Sequence, residues 1–370
     1  MVRRPSRGAV ITQWVILALL AAAAVLLFLM AHENFARRHV SFNFSFLAWP
    51  ANFDIPFHLI SWSESDSYGR VIIVALLNTL LVSALAIVTG SVWGLLIGMM
   101  RLSRNWLVRN LALAYIEVVR NTPQLVQIVF VYAATVQLPP LRQSIAFAGG
   151  VLLNNRGLYL PAFVIGDGMW WLPWLAVALL AAIPFLWRRR RGGRPIGAYS
   201  LLLVPAAMGL VASAVERMTF PELKGFNITG GVVVPPELVA LWIGLSLYAA
   251  AFIGEIVRGS IEAVPKGQNE AAQSLGLSYA PRLFLVTLPQ ALRIMVPPLT
   301  SQYLNIIKTS SLGALIAFPE LFQMVLGTVM QHSDRYVETL FIVGMVFLAI
   351  NLVTSAFMNW YNRRAALVER

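Results

Sequence analysis

Two ionisable residues stand within or beside apolar stretches, Glu255 and Lys308. A charge is costly in hydrocarbon, so such groups face a bundle interior or a wet cavity. Lys308 opens a polar run with Thr309, Ser310 and Ser311, and Pro297-Pro298 precede it. Paired prolines predict a broken helix. A cation and hydroxyls on a broken helix at mid-depth suit an anionic group. Glu255 supplies the opposite charge, and together with donors elsewhere it would suit a zwitterionic amino acid. Arg258 lies one turn beyond Glu255, so a local ion pair at a helix end competes with that role.

A second polar group is Asn121, Thr122, Gln124 and Gln127. Thr122 has the chemistry of an N-cap, with Pro123 at the first helical position. A span therefore starts here, and Asn105–Arg120 reads as a separate helix at the inner surface, with Glu117 and Arg120 spaced to pair. Gln124 and Gln127 share one face. Buried amides need partners, and helix–helix contact and solute contact are equally open readings. Upstream, Asn78, Thr79 and Ser83 either line a path or cap a neighbour. Gly90, Gly94 and Gly98 make two overlapping GxxxG steps, which read first as internal packing.

The third feature is a polar island, Gly267–Pro298, between two apolar segments. An ordinary connection needs only a few residues, and this one has about 35. Glu270-Ala271-Ala272 opens a helix with its acid near the positive end. Gly276 fits a helix stop. Pro281 restarts the chain, and Pro289 is expected to stop it again. Two short helices at a bend make a plug that a partner can grip.

The elements that position these groups follow from composition. The 370 residues are 58% apolar and only 12% charged, with a mean hydropathy of +0.72. A soluble protein carries about 25% charged residues. Spans of roughly 20 apolar residues are expected at 11–30, 71–100, 121–138, 169–187, 198–215, 237–257, 294–318 and 339–361. The fold class is an all-α integral membrane protein with about eight transmembrane helices. The first apolar run exceeds a signal-peptide core, so it reads as an uncleaved helix anchored by Arg3-Arg4. With the N-terminus inside, the inner segments hold most of the Lys and Arg and three acids, Glu262, Glu270 and Glu369. The outer segments hold more acids than cations. The positive-inside rule thus places both termini and the island in the cytoplasm and makes Arg188–Arg191 a topology anchor. Trp49, Phe53, Phe57 and Trp62 are expected at the headgroup level.

Other chemistry lacks its residues. The chain has no cysteine. It has no G-x-x-x-x-G-K-[ST] phosphate loop, no H-E-x-x-H and no G-x-S-x-G. Its four histidines have no metal-ligand spacing. No catalytic set and no metal site are expected. The net charge of +12 sits at topology-determining positions rather than in a nucleic-acid patch.

Glu270-Ala271-Ala272, then Gly276, then Val286-Thr287-Leu288-Pro289 resemble the EAA loop of binding-protein-dependent ABC importers, with Val286 where the pattern has Ile. Arg120–Leu125, Phe252–Gly259 and Lys308–Leu312 look like the polar amino-acid permeases of the histidine/glutamine type. The extra first helix and inserted hairpin resemble the longer general or acidic L-amino-acid permeases. The resemblance implies a type I importer permease fold in a bacterial inner membrane. Its core would be 71–138 and 237–370, with the EAA loop at 266–293. Residues 1–70 and 139–236 would be additions. It implies ATPase coupling through Glu270, Ala271, Ala272, Gly276, Leu288 and Pro289. Solute contacts would fall among Glu255, Gln124, Gln127, Asn121, Thr122, Lys308, Thr309 and Ser310, with Glu255 at the solute amino group. The implied partners are an ABC ATPase dimer carrying ATP and Mg, a second permease chain, identical or different, and a periplasmic amino-acid-binding protein. An ion-gradient-driven transporter or channel is the alternative.

Overall fold

The computed structural model describes residues 7–37, 43–165, 175 and 203–365. The expected helix at 169–187 and the Arg188–Arg191 run lie outside them, apart from Leu175. Helix α1 spans Arg7–Arg37, and its described side chains, such as Trp14 and Leu20, are exposed. Helix α2 (Tyr68–Arg101) is capped by Ser67, whose side chain accepts from the Arg70 N–H. Helix α3 (Trp106–Asn121) is capped by Asn105, and α4 covers Gln124–Val136.

The insertion that follows is not wholly helical. It contains β1 (Ile145–Phe147), β2 (Val151–Asn154), β3 (Gly157–Leu160) and β4 (Ala162–Ile165). After α5 (Leu203–Ala214) come β5 (Val215–Thr219), β6 (Glu222–Lys224), β7 (Asn227–Thr229) and β8 (Val232–Val234). Strands β1-β2-β3-β8 form one antiparallel sheet, and β4-β5 and β6-β7 form two ribbons. These strands are only three to five residues long and few of their residues are buried, so they left little alternation to read in the sequence. Gly157, at φ +126°, sits where an added Cβ would lie 2.3 Å from the Val234 carbonyl oxygen, and only glycine lets β3 and β8 meet there.

Strand β8 runs into α6 (Pro236–Glu262), the central helix, which opens on a proline suited to a first turn. Helices α7 (Lys266–Ser274), α8 (Tyr279–Arg282) and α9 (Leu288–Thr309) follow. A wide π turn, Leu283–Thr287, joins α8 to α9, and a 3-10 turn, Ser310–Ile316, closes α9. A π turn at Gln323–Val329, α10 (Met330–Ser333) and α11 (Tyr336–Ala365) complete the described chain.

Among the described residues, four helices are long and apolar enough to cross a membrane: Tyr68–Arg101, Pro236–Glu262, Leu283–Ile316 and Tyr336–Trp360. The expected third span is the shorter α4. The core forms where α2 and α6 run side by side. Cβ atoms added at Gly90 and Gly94 would lie 2.9 Å from Ala249 Cβ and 2.6 Å from Ile253 Cβ, and one at Gly98 would lie 2.7 Å from Val257 Cβ. The glycine steps therefore serve internal packing. Helix α3 packs through Ala112 and Ile116 on Ile97 and Ala250.

Several expectations change. Helix α9 is continuous through Pro297 and Pro298, so the prolines do not break it. Pro289 starts α9 rather than ending a helix. Its ring crowds the preceding turn, and the wide π turn there relieves the crowding. Phe53, Phe57 and Trp62 are half-buried against the protein. Phe53 and Trp62 pack with the cluster around Phe46, Ile55 and Val71, and Phe57 meets Phe318. Trp49 is exposed.

Candidate solute path and coupling surface

The island 266–287 is a helical hairpin. Helix α7 ends in a Schellman turn, in which the Gly276 N–H donates to Gln273 O at 2.9 Å and the Leu277 N–H to Ala272 O at 3.2 Å. Gly276 has φ +77°, which glycine adopts without steric cost. Three side-chain bridges tie α7 to the returning strand of chain. Thr287 Oγ1 donates to Asn269 Oδ1 at 3.0 Å, Gln290 Nε2 to Gln268 Oε1 at 3.2 Å, and Arg282 Nη1 to Gln273 Oε1 at 3.2 Å. Ala272 is buried in the hairpin, whereas Glu270, Ala271, Gly276 and Pro289 are exposed and Leu288 is half-buried. Leu275 and Leu285 also project outward. A cavity of about 120 Å³, lined by residues including Met99, Leu102, Ile261 and Phe284, lies between the hairpin and the ends of α2 and α6.

The membrane part separates the other candidates into two groups. Gln124 Nε2 donates to Thr309 Oγ1 at 3.3 Å, which joins the start of α4 to the end of α9. Thr309 Oγ1 in turn donates to Asn305 O at 3.0 Å. The depth of this contact follows from packing. Tyr132 near the end of α4 reaches Glu237 at the start of α6, so the two helices are antiparallel. Ile128 packs on Gly244, which is about 12 Å along α6, and Gln124 lies one turn, about 6 Å, further. A 27-residue helix is about 40 Å long, so Gln124 and Thr309 sit near its middle. Lys308 is next to them, exposed, and in no ion pair among the described residues. Ser310 is buried and donates to Ile307 O at 2.7 Å.

The remaining candidates serve local structure. Thr122 is not the expected N-cap: it ends α3, and its hydroxyl donates back to Val118 O at 2.7 Å. The backbone of Thr122 is extended, as a residue before proline must be, so its side chain finds the helix behind it. Asn121 Nδ2 donates to Glu117 O at 2.8 Å and Oε2 at 3.2 Å, and Arg120 lies over the Phe252 ring at 5.1 Å, so the Glu117–Arg120 pair is not the contact formed. Gln127 Nε2 donates to Val119 O and Thr122 O at 2.8 and 3.0 Å, which fastens the α3–α4 corner. Arg258 Nε donates to both oxygens of Glu255 at 3.0 and 3.1 Å, and the same guanidinium also binds Glu262.

At the opposite end, Asn78 Nδ2 donates to Phe57 O and Pro319 O at 2.9 and 2.8 Å, and Thr79 Oγ1 accepts from the Leu321 N–H at 2.9 Å. These residues cap neighbours. Sequence reasoning passed over Asn269 and Thr287, whose pairing depends on a fold-back.

Residues 236–367 match the family described as binding-protein-dependent transport system inner membrane component. The chain is 44% identical to the putative amino-acid ABC transporter permease protein YhdX of Escherichia coli (strain K12), across 96% of this chain and 94% of that protein. It is 43% identical to the general L-amino acid transport system permease protein AapQ of Rhizobium johnstonii, across 91% and 87%. It is 35% identical to the glutamate/glutamine/aspartate/asparagine transport system permease protein BztB of Rhodobacter capsulatus, across 97% and 93%. A solved amino acid ABC transporter with histidines shares the fold, with a TM-score of 0.51, 22% identity, and 80% and 95% of the two chains covered. The chain belongs to the family of amino-acid ABC transporter permeases, the integral inner-membrane components of binding-protein-dependent transport systems.

Proposed function

We propose that this permease is one membrane subunit of an ATP-driven importer of L-amino acids. A periplasmic binding protein delivers the solute, and an ATPase dimer that carries ATP and Mg docks on the hairpin through Glu270, Ala271, Ala272, Gly276, Leu288 and Pro289. A second permease chain completes the path, and both termini are cytoplasmic. The core is 71–138 with 237–370, to which 1–70 and 139–236 are additions. The observation that carries the reading is the bridged hairpin, which continues without a break into α9. A rigid lever of this kind transmits motion at the ATPase to the helix bearing Lys308 and Thr309. The amino-acid class is supported by the names of the relatives. The ion-gradient alternative requires a free carboxylate within a span, and Glu255 is engaged by Arg258.

Proteoliposomes containing the complete complex test the proposal. Uptake of an amino acid should require internal ATP and the binding protein, and should survive collapse of the proton gradient. Uptake that persists without ATP and stops with the gradient would overturn it.

A further inference from the structure

We infer that the cavity at the root of the 266–287 hairpin is a lipid site, which takes the acyl chain of an anionic phospholipid while cations at its rim hold the phosphate. The cavity has a volume of about 120 Å³. Its walls include Leu95, Met99 and Leu102 from the end of α2, Ile261 from the end of α6, and Leu283 and Phe284 from the π turn. Leu95, Met99 and Leu102 are spaced i, i+4 and i+7, which makes one stripe over about 10 Å of helix length. Leu95, Met99 and Phe284 are all exposed, so the cavity is open rather than sealed. An apolar space of this kind stays dry and admits a small hydrocarbon group. A partner helix, about 10 Å across, does not enter it.

The depth of the stripe suits a lipid chain. Helix α2 carries no charge from Val71 to Met100 and ends on Arg101. Such a change marks the membrane boundary. The stripe therefore runs from the headgroup level at Leu102 into hydrocarbon at Leu95, as an acyl chain does. The rim supplies the selectivity. Arg101 and Arg104 flank Leu102, and Arg282 adjoins Leu283. The Nε of Arg101 is buried and has no hydrogen-bond partner among the described residues. Glu255 and Glu262, the acids at this end of α6, are both bound by Arg258. The rim thus keeps an excess of positive charge. Guanidinium groups match phosphate oxygens in geometry as well as in charge. Cations at a membrane boundary also favour anionic over zwitterionic lipid.

The test places the complete complex in nanodiscs of phosphatidylcholine with a trace of phosphatidylglycerol whose acyl chain is photoreactive. A phosphatidylcholine with the same chain is the control probe. In wild type, labelling of 95–102 and 283–288 should be at least about fivefold stronger with the phosphatidylglycerol probe, the factor that one cation near the surface supplies. The exposed face of α11 around Leu352 and Val353 should label equally with both probes. Met99→Trp fills the cavity and should remove most of the label from 283–288, whereas Met99→Leu should retain it. Arg101→Gln combined with Arg104→Gln should lower the preference between probes and leave the acyl contact in place. Equal labelling by the two probes in wild type overturns the proposal, as does undiminished labelling of 283–288 in Met99→Trp. The wild-type comparison uses no variant, so it decides the matter even where Met99→Trp does not fold. Neither readout uses ATP or a solute, and a negative result leaves the importer reading intact.

Discussion

Thr287 donates its hydroxyl hydrogen to Asn269 Oδ1 across 3.0 Å, and this bond closes the hairpin whose two arms are 18 residues apart in sequence. It lies at the base of the lever, where α8 passes through the π turn into α9. Asn269→Ala leaves the buried hydroxyl only its longer contact to Arg282 O at 3.4 Å, at a cost of about 1 kcal/mol. The expected result is normal membrane insertion with reduced ATP-driven uptake per hydrolysed ATP. Unaltered coupling would show that the bridges through Gln268 and Gln273 suffice.

Gly276→Ala forces a Cβ into a left-handed conformation, which costs about 1–2 kcal/mol. The strain falls on the turn that orients Glu270 and Leu275. Co-purification with the ATPase should decrease, as it should for Glu270→Lys, whereas yield of the membrane chain should hold. Wild-type ATPase recovery with both variants would remove the hairpin from the docking surface.

Gly94→Ala tests the α2–α6 seam. The new Cβ meets Ile253 Cβ at 2.6 Å, and relief requires the two helix backbones to part. A loss of about 1–3 kcal/mol is expected, read as a lower melting temperature in detergent. Ile253→Ala retains the clashing Cβ and should rescue only in part. Full stability of Gly94→Ala would mean that the seam is looser than its glycines require.

Glu320 gives a pH dependence. It lies in the loop between Ile316 and Tyr336, fully buried, and its oxygens accept the Phe322 and Gln323 N–H groups at 2.8 and 2.7 Å. Burial pushes its pKa up from 4.5 to about 7, against the downward pull of those two bonds. The folded chain thus keeps this proton at pH values where the unfolded chain loses it. Its contribution is fully present below about pH 4.5, falls by about 3 kcal/mol as pH rises to about 7, and is then constant. Melting temperatures at about pH 5 and about pH 7.5 should differ in this direction, and Glu320→Gln should flatten the difference. An equal slope in the variant would assign it to another group.

Glu255 and Arg258 should behave as one unit. Uptake should fall in Glu255→Ala while assembly is spared, and Arg258→Ala should produce much of the same defect. Additive losses in the double variant would mean that Glu255 has a role separate from its ion pair.

The sequence by itself determined the membrane class, the principal spans and the family, because apolar length, cation placement and the Glu270-Ala271-Ala272…Gly276…Leu288-Pro289 spacing are local properties. Gly276 was legible as a stop because a left-handed turn leaves few choices of residue. The glycine steps on α2 were legible as a seam, but not their partner, since Ile253 is distant in the chain. Only the tertiary structure decided the continuity of α9 through Pro297 and Pro298, where packing overrides the loss of backbone donors. It also decided that Thr122 bonds backward to Val118, and that Gln124 meets Thr309 whereas Gln127 is spent at a corner. These outcomes depend on which hydrogen-bond partner the packed fold brings within reach, and amide and hydroxyl side chains can use many.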